Sequence, residues 1–306
     1  MRRWIPLLAI VLAACSGPGA PTGTGALEPP TTEAARSVPA PTTTGSATPT
    51  VPAAPTSSAG GAGGTITLPP DRARFDYQLG GTYPPPDGVT VVERDSTEPP
   101  AAGAYGICYV NAFQTQADEG DWWLANHPDL VLRSGGEPVV DPGWPDEYLL
   151  DTSSDAGRVA LAEIVGRTIR DCAGTGYDAV ELDNLDSYTR SGGRLSADGA
   201  LDLAGRLVAI AHEAGLAVAQ KNAAELSARA RDVGFDLAIA EECHRWDECA
   251  SYTDVYGPHV LDVEYTDDLR GTWADVCADP QTPASVVLRD RELVAPGDPD
   301  YAYGRC

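Results

Sequence analysis

The sequence is poor in basic residues, and above all in lysine. Only 21 of its 306 residues are Lys or Arg, against 45 Asp and Glu, which gives a formal net charge of −24. Nucleic-acid binding depends on Lys and Arg side chains that displace counterions from phosphates. This composition therefore argues against a DNA- or RNA-binding protein. The chain contains a single lysine, Lys221, and that isolation makes the position a candidate functional residue.

Long apolar runs are also missing beyond the N-terminus, where no stretch reaches the ~20 residues needed to span a bilayer. The N-terminus itself has the pattern of an export leader, with a basic start at residues 1–3, an apolar segment over 4–14, and the letters LAAC at 12–15. That ending is similar to the cleavage site of bacterial lipoproteins. We therefore expect residues 1–14 to be a signal peptide and Cys15 to carry a lipid that anchors the protein to a membrane surface outside the cytoplasm. An ordinary secretory signal is the alternative.

The segment after the leader contains few residues that could form a core. Between residues 16 and 65, 44 of 50 residues are Gly, Ala, Ser, Thr or Pro. Such a composition buries too little apolar surface to offset the entropy of ordering the chain. We expect residues 15–66 to be a disordered tether. The remaining part, 67–306, has the length of a single (β/α)8 barrel domain.

Six cysteines follow the tether, an even number that favours disulfides over free thiols or metal in an oxidising compartment. We expect three disulfides: Cys243–Cys249, Cys108–Cys172 and Cys277–Cys306. The first closes a short loop and is the strongest expectation, whereas six cysteines in general allow fifteen connectivities. A zinc site is disfavoured because the spacing within this short loop is not a usual ligand pattern and the four histidines do not cluster.

Strand-like and helix-like segments alternate along the rest of the chain. Short β-type runs predict eight strands, at residues 75–79, 89–94, 105–110, 177–183, 216–221, 236–241, 260–265 and 285–288. Amphipathic stretches predict helices at residues 154–173, 196–214, 223–233, 245–256 and 267–276. Asp155 and Ser196 are the expected caps of the two longest helices. Alternation of this kind predicts an α/β protein with a parallel sheet, and eight strands predict closure into a (β/α)8 TIM barrel.

Polar residues collect at the C-terminal ends of the predicted strands, which is the rim that carries active sites in such barrels. They are Asp95, Tyr109, Asn111, Glu181, Asp183, Lys221, Asn222, Glu241, Glu242, Glu264, Tyr265 and Asp290. Because side chains alternate along a strand, Glu181 and Asp183 share one face. Glu241 and Glu242 are neighbours, so at most one of them points into the barrel mouth.

Several of these rim segments together resemble one family. They are VELDNLDSY at 180–188, Lys221-Asn222, EECHRWDEC at 241–249, and the shorter CYV at 108–110 and VEY at 263–265. In their order and spacing, from about residue 75 to 293, they resemble glycoside hydrolase family 114, the endo-α-1,4-polygalactosaminidases. Any one of these motifs alone would be weak evidence, but the set is specific.

The resemblance implies a barrel enzyme that cleaves α-1,4-linked galactosamine polymers with retention of configuration. The family's catalytic pair matches Asp183, as the nucleophile, and Glu241, as the acid/base. Two departures stand beside this match: Leu182 where the family more often has Pro, and Glu242 where it more often has an amide. Glycosidic cleavage needs one acid to protonate the leaving oxygen and one carboxylate to attack or to activate water, so two acids that face each other across the barrel mouth suit the chemistry.

The other rim residues are candidates for binding an amino sugar. Four carboxylates could pair with its ammonium group: Asp95, Glu181, Glu264 and Asp290. Lys221 and Asn222 could hold ring hydroxyls, and aromatic faces suit the apolar side of a pyranose. The aromatic candidates are Tyr109, Trp144, Tyr188 and Tyr265. Purely structural roles are an equal alternative for Glu181 and Tyr188, and Trp122 and Trp123 are predicted to be lid or core residues.

We therefore expect a tethered glycoside hydrolase, monomeric, with a polysaccharide substrate and without a metal or organic cofactor. A non-catalytic polysaccharide-binding lipoprotein on the same barrel is the first alternative. A metal-dependent phosphodiesterase is another, and its signature would be a cluster of His and Asp on the rim, which the sequence lacks. The net acidity also has a second explanation, solubility outside the cell.

Overall fold

The computed structural model describes residues 66–306. The predicted signal peptide, the lipidation of Cys15 and the tether lie outside the described residues, apart from the last residue of the tether. Between 66 and 306, the helices are too short or too polar for any of them to cross a bilayer.

Eleven strands and seven α-helices make up this part of the chain. The strands are β1 (Phe75–Gln78), β2 (Val91–Asp95), β3 (Tyr105–Asn111), β4 (Arg133–Ser134), β5 (Glu137–Pro138), β6 (Ala179–Asp183), β7 (Ala217–Lys221), β8 (Leu237–Glu241), β9 (Val260–Tyr265), β10 (Ser285–Arg289) and β11 (Tyr303–Arg305). The helices are α1 (Gly120–Asn126), α2 (Asp155–Thr175), α3 (Ala197–Glu213), α4 (Ser227–Asp232), α5 (Cys243–Trp246), α6 (Cys249–Tyr256) and α7 (Trp273–Ala278).

Nine of the strands form one curled sheet in the order β1-β2-β3-β6-β7-β8-β9-β10-β11. The first eight run parallel and match the eight predicted strands, while β11 pairs antiparallel with β10. The sheet curls until β1 and β10 lie beside each other. This arrangement confirms the predicted barrel class.

Side chains bridge the seam between β1 and β10. The fully buried Arg289 donates to Asp76 Oδ1 (3.1 Å) and to the carbonyl of Tyr77. Tyr303 on β11 donates through its hydroxyl to the carbonyl of Phe75 (3.2 Å). The charged Arg289 is therefore held inside the protein by hydrogen bonds and a buried ion pair.

Alternation along the strands separates two cores. In β6, Ala179 faces the barrel interior, where it joins a cluster with Tyr77 and Ile107. Val180 and Leu182 face outward and join the larger cluster between the sheet and helices α2 and α3. The polar residues Glu181 and Asp183 share the inward face with Ala179, as the period of two predicts. The strand therefore delivers both carboxylates to the inside of the barrel.

Helix boundaries differ from the predictions in local detail. Ser196 caps α3 as predicted, with its hydroxyl accepting from Gly199 N at 3.2 Å. In α2 the cap is Ser154, not Asp155, because Ser154 has the extended backbone of a cap and accepts from Gly157 N at 3.0 Å. The predicted helix at 245–256 is divided into α5 and α6, because Asp247 adopts a left-handed conformation (φ 62°). Helix α1, the β4–β5 hairpin and β11 were not predicted.

All three predicted disulfides are present: Cys108–Cys172, Cys243–Cys249 and Cys277–Cys306. The first joins β3 to α2 across 64 residues. In the chain-entropy model, closing a loop of that length stabilises the folded state by about 4 kcal/mol, because it lowers the entropy of the unfolded chain. The second connects α5 to α6, directly after the end of β8. The third ties the last residue of the chain to α7.

Candidate active site

A cleft of about 840 Å³ opens at the C-terminal ends of the barrel strands. Most of the predicted site residues line it, in agreement with the expected position of an active site in this architecture. These residues are Asp95, Tyr109, Asp183, Lys221, Asn222, Glu241 and Tyr265.

Asp183 and Glu241 converge on a single ammonium group. Lys221, at the end of β7, places its Nζ 3.4 Å from Asp183 Oδ1 and 3.2 Å from Glu241 Oε2. The two carboxylates end strands β6 and β8, one on either side of β7. Segments that are distant in sequence are therefore brought to one point by the order of the strands.

Asp183 is held by its neighbours on two elements. The hydroxyl of Tyr109, on β3, donates to Oδ2 at 2.6 Å, and the backbone N of Asn184 donates to Oδ1 at 2.6 Å. Asn184 has a left-handed backbone (φ 67°), which turns the chain sharply at the end of β6. The carboxylate is consequently fixed in direction while it remains partly exposed to the cleft.

Glu241 accepts hydrogen bonds on both oxygens. Tyr265 donates to Oε1, and Asn222 Nδ2 donates to Oε2 at 3.2 Å. Asn222 Oδ1 also accepts from the backbone N of Glu241 at 2.8 Å, so Asn222 hydrogen-bonds to both the side chain and the main chain of this residue. Burial favours a higher pKa for Glu241, but the Lys221 ammonium and these donors outweigh it and lower the pKa below its usual value. In the free protein Glu241 is an ionised carboxylate at neutral pH.

Lys221 is almost fully buried and has four partners. Besides the two rim carboxylates, its ammonium donates to the hydroxyl of Tyr77 (2.9 Å) and to Glu181 Oε1 (3.3 Å). Burial by itself lowers the pKa of Lys221, but the three carboxylates around it outweigh burial and raise that pKa well above its usual value. The side chain therefore stays cationic. The isolated lysine of the sequence is the central charge of the cleft floor.

A pair of buried carboxyl groups lies beneath this ammonium. Glu181 and Glu93, on β6 and β2, are fully buried and close enough for each to shift the pKa of the other, although neither oxygen of Glu93 has a hydrogen-bond partner among the described residues. Burial raises the pKa of Glu181 to about 8, with Lys221 opposing the shift, and burial together with Glu181 raises the pKa of Glu93 well above its usual value. The pair therefore holds a proton at neutral pH. The sequence analysis did not select Glu93, although its alternation with Val91 and Asp95 in β2 places it on the inward face.

Four predicted binding residues do not line the cleft. Glu181 lies one layer below it, under Lys221. Tyr188 packs against the outer core and donates its hydroxyl to Glu225 Oε1 at 2.6 Å. These contacts are the ones expected of the structural roles that the sequence left open as alternatives.

Glu264 and Asp290 also lie outside the cleft: Glu264 is on the outward face of β9, and Asp290 is the first residue after β10. Because neighbouring side chains of a strand point to opposite faces, Glu264 points outward where Tyr265 points inward. Its carboxylate accepts from the backbone N of His244, at the start of α5, at 2.8 Å. Asp290 is buried and accepts from the backbone N of Val294 (2.8 Å) and of Ala302 (3.1 Å). Each carboxylate satisfies main-chain donors of the loops and is not available to a sugar from within the cleft.

Several cleft residues were not singled out as binding residues from the sequence. Trp246 is 58% exposed at the rim, in the loop closed by the Cys243–Cys249 disulfide, and Glu147 comes from the long connection between β5 and α2. Neither lies at a strand end, so the rim pattern could not find them. Glu242 does line the cleft, but its charge is paired with Arg291 (2.8 Å), which also covers the ring of Tyr265 at 4.4 Å.

The family model of glycoside-hydrolase family GH114 matches residues 55–306 of this sequence. The protein belongs to family GH114. The match covers all the described strands, and within them the convergence of Asp183 and Glu241. This family membership identifies the protein as a glycoside hydrolase.

Two solved structures are similar to this GH114 chain. The Ega3 protein of Aspergillus fumigatus, solved in complex with galactosamine, aligns with a TM-score of 0.63 and 20% identity over 79% of this chain and 98% of its own. The glycoside hydrolase domain of PelA from Pseudomonas aeruginosa aligns with a TM-score of 0.49 and 15% identity over 72% of this chain and 95% of its own. At this identity the first likeness shows the fold alone. No curated protein sequence matches this chain.

Proposed function

We propose that this GH114 protein cleaves internal linkages of an α-1,4-linked, galactosamine-containing polysaccharide, with Asp183 and Glu241 as the catalytic pair. The observation that carries the proposal is the convergence of both carboxylates on Lys221 Nζ at the open end of the barrel. One sugar linkage placed above this ammonium would lie within reach of both groups. The galactosamine bound to Ega3 supports the choice of substrate class.

The separation of the two acids supports retention of configuration. Their nearer oxygens lie 3.4 and 3.2 Å from one nitrogen, which limits the separation of these oxygens to the sum of the two distances, below about 7 Å. This limit applies to the two nearer oxygens, and it is compatible with the ~5 to 5.5 Å between the carboxyl groups of retaining enzymes.

The proposed reaction has two steps. The nucleophilic carboxylate attacks the anomeric carbon while the glycosidic C–O bond breaks, and the leaving oxygen takes a proton from the carboxylic acid of the pair. In the second step a water molecule gives its proton back to that group, and its oxygen attacks the anomeric carbon and releases the nucleophile. Both steps pass through an oxocarbenium-like state. The pair is regenerated, and no co-reactant other than water is consumed.

The roles within the pair are a separate proposal. The family resemblance assigns the nucleophile to Asp183 and the acid/base to Glu241. The lowered pKa of Glu241 favours the reverse assignment, because an ionised carboxylate in the free protein is the state that a nucleophile needs. For Glu241 to act as the acid, bound substrate must weaken its contact with Lys221 or with Asn222. The pKa of Glu241 would then rise, and the carboxyl group would hold a proton.

The charge of the cleft supports a cationic substrate. Ten of its lining residues are Asp or Glu, against Lys221, Arg190 and Arg291 as the cations. An excess of negative charge around a concave site raises the encounter rate of positively charged ligands. A de-N-acetylated galactosamine polymer carries one ammonium per unit and fits this field.

The test is hydrolysis of partly deacetylated α-1,4-galactosamine polymer, followed by reducing-end release. We expect Asp183→Asn and Glu241→Gln each to reduce turnover by about 10²- to 10⁴-fold or more with unchanged thermal unfolding. Glu213→Gln, an exposed residue at the end of α3, is the charge-matched control. Wild-type turnover in either catalytic variant would refute the pair, and polymer binding without any cleavage by the wild type would favour the non-catalytic alternative.

Azide rescue separates the two role assignments. With an activated α-glycoside, the variant that lacks the nucleophile should form the β-glycosyl azide by direct attack. The variant that lacks the acid/base should form the α-glycosyl azide through the covalent intermediate. The anomer formed by Glu241→Gln therefore decides which role this residue has.

Export and lipid anchoring remain part of the proposal. The three disulfides fit an oxidising compartment, and the leader pattern ending at Cys15 supports an anchor. Metabolic labelling with a fatty acid should mark the wild-type protein and fail to mark Cys15→Ala. Labelling of both variants would contradict the lipidation site.

A further inference from the structure

One wall of the cleft is formed by the connection between β5 and α2, at residues 139–150. This wall is anchored through Asp141, which is fully buried, accepts from Gln114 Nε2 at 3.0 Å and forms an ion pair with Arg190. A β-bridge joins Val140 to Tyr148, and others join the wall to preceding segments. The wall is therefore a fixed part of the site.

Glu147 projects from this wall into the cleft and is only 9% exposed. Its Oε2 accepts from Asn111 Nδ2 at 2.9 Å, while no donor among residues 66–306 reaches its Oε1. Oε1 is therefore open to the cleft, where it can accept a hydrogen bond from a ligand.

The charges around Glu147 also favour an incoming cation. Burial raises the pKa of Glu147 to about 7; the Asn111 hydrogen bond and Arg190 oppose this shift, whereas Asp183 and Asp141 add to it. An ammonium group beside Oε1 would reverse the shift, because an opposite charge stabilises the ionised carboxylate. A neutral donor would oppose the shift only through a hydrogen bond, without the attraction between opposite charges.

Trp144 lies on the same wall, three residues earlier, and is 62% exposed while it lines the cleft. Its backbone is fixed on both sides: its N–H donates to Asp141 Oδ1 at 3.3 Å, and its carbonyl accepts from Glu147 N at 2.9 Å. An indole face presented to solvent in a sugar-sized cleft suits the apolar face of a pyranose ring.

This wall is connected to the catalytic pair on the Asp183 side. Asn111, which donates to Glu147, accepts in turn from Asn184 Nδ2 at 2.9 Å, and Asn184 directly follows Asp183. A sugar that contacts Glu147 would therefore lie on the Asp183 side of the catalytic pair.

We propose that Trp144 and Glu147 form a subsite for an amino sugar next to Asp183, in which the indole stacks on the pyranose and the carboxylate binds its free ammonium group. The subsite thereby selects a de-N-acetylated unit. This inference rests on the proposed function and adds the residues that determine which form of the sugar is accepted. An N-acetyl group would remove the charge and leave Oε1 facing a bulkier, neutral amide.

The test compares two α-1,4-linked oligomers of equal length, one of galactosamine and one of N-acetylgalactosamine. Glu147→Gln keeps the shape and the acceptor for Asn111 but removes the charge. We expect it to raise KM for the free-amine oligomer by about 10- to 100-fold and to leave KM for the N-acetylated oligomer within about twofold. Trp144→Ala should raise KM for both oligomers by similar factors. Trp122→Ala and Glu213→Gln, which lie outside the cleft, are the matched controls.

The outcomes separate this inference from the proposed function. If the wild type cleaves the polymer and Glu147→Gln has the same preference for free amine as the wild type, the subsite is refuted and the function stands. A purely structural Glu147 would change KM for both oligomers equally, which also overturns the inference. If the wild type cleaves neither oligomer, the proposed function fails, and calorimetric binding of the same oligomers to wild type and Glu147→Gln still decides the subsite.

Discussion

At the scale of single residues, the site is organised by one buried ammonium. Lys221 is surrounded by Glu181, Asp183 and Glu241, and its Nζ is the shared contact of all three. A compact ammonium on a flexible stem can approach three carboxylates from two strands, whereas the planar fork of an arginine favours one or two carboxylates. This geometry explains why a lysine stands here in a chain whose other basic residues are arginines.

Removing this ammonium should change both stability and the pH profile. Lys221→Met leaves buried carboxylates without their cation, and we expect a loss of about 3–5 kcal/mol in the free energy of unfolding. The pKa of Glu241 should rise, because its main stabilising charge is gone, so the limb of the kcat/KM profile that reports Glu241 moves to higher pH. Urea denaturation and rates measured across pH test this expectation.

Two comparisons complete this test. Lys221→Arg keeps the charge and should recover part of the stability but little of the activity. An unchanged pH profile in Lys221→Met would show that the ammonium does not set the ionisation of Glu241.

At the scale of elements, the turns that follow the strands aim the site residues. The backbone becomes left-handed immediately after β6, β7 and β8, at Asn184 (φ 67°), Asn222 (φ 46°) and Glu242 (φ 63°). Asparagine tolerates this conformation better than most residues, since its short polar side chain can hydrogen-bond locally. The sharp turns leave the last strand residue at the rim and direct the chain back toward the helices.

Asn222 combines this backbone role with a side-chain role that substitutions can separate. Asn222→Gly keeps the left-handed turn but loses both contacts with Glu241, so we expect about a 10-fold loss of kcat with a small change in stability. Asn222→Ala loses the same contacts and adds about 1–2 kcal/mol of backbone strain. Kinetics and chemical denaturation of the two variants separate the effects. Full activity of Asn222→Gly would contradict the positioning role.

At the scale of the whole molecule, the barrel is completed by side chains at its seam. Arg289 and Asp76 form a fully buried ion pair where β1 and β10 meet, and Arg289 also donates to main-chain carbonyls. Such a pair contributes little when replaced as a unit but is costly to break. The seam is therefore a point at which one substitution affects the closure of the entire sheet.

The seam gives a stability prediction that activity assays alone would not reveal. Arg289→Met leaves Asp76 buried without its cation and should lower the free energy of unfolding by about 3–5 kcal/mol. Adding Asp76→Asn should recover part of that loss, because the uncompensated charge is removed. A double-mutant cycle in urea measures the coupling. A loss below about 1 kcal/mol for the single variant would show that the seam does not depend on this pair.

The sequence predicted which carboxylates share a face of a strand, but not which carboxylates reach the cleft. The period of two placed Glu181 and Asp183 on one face, and the alternation of strands and helices predicted the order in which β6, β7 and β8 would lie. The same rules could not tell which inward carboxylate reaches the cleft, because that depends on depth in the barrel. Glu181 proved to be one layer too deep, and Glu264 faces the helices because its neighbour Tyr265 takes the inward position.

The amino-acid sequence by itself determined the eight parallel strands, the short Cys243–Cys249 disulfide and the family, because each depends on local alternation, on cysteine spacing or on motifs that are contiguous in the chain. Only the tertiary structure decided that Lys221 joins Asp183 to Glu241, that Arg289 bridges the seam, and that Glu147 enters the cleft from a long connection. These contacts link residues from different elements, and their distances follow from the curl of the sheet and the path of its loops, which no local pattern specifies.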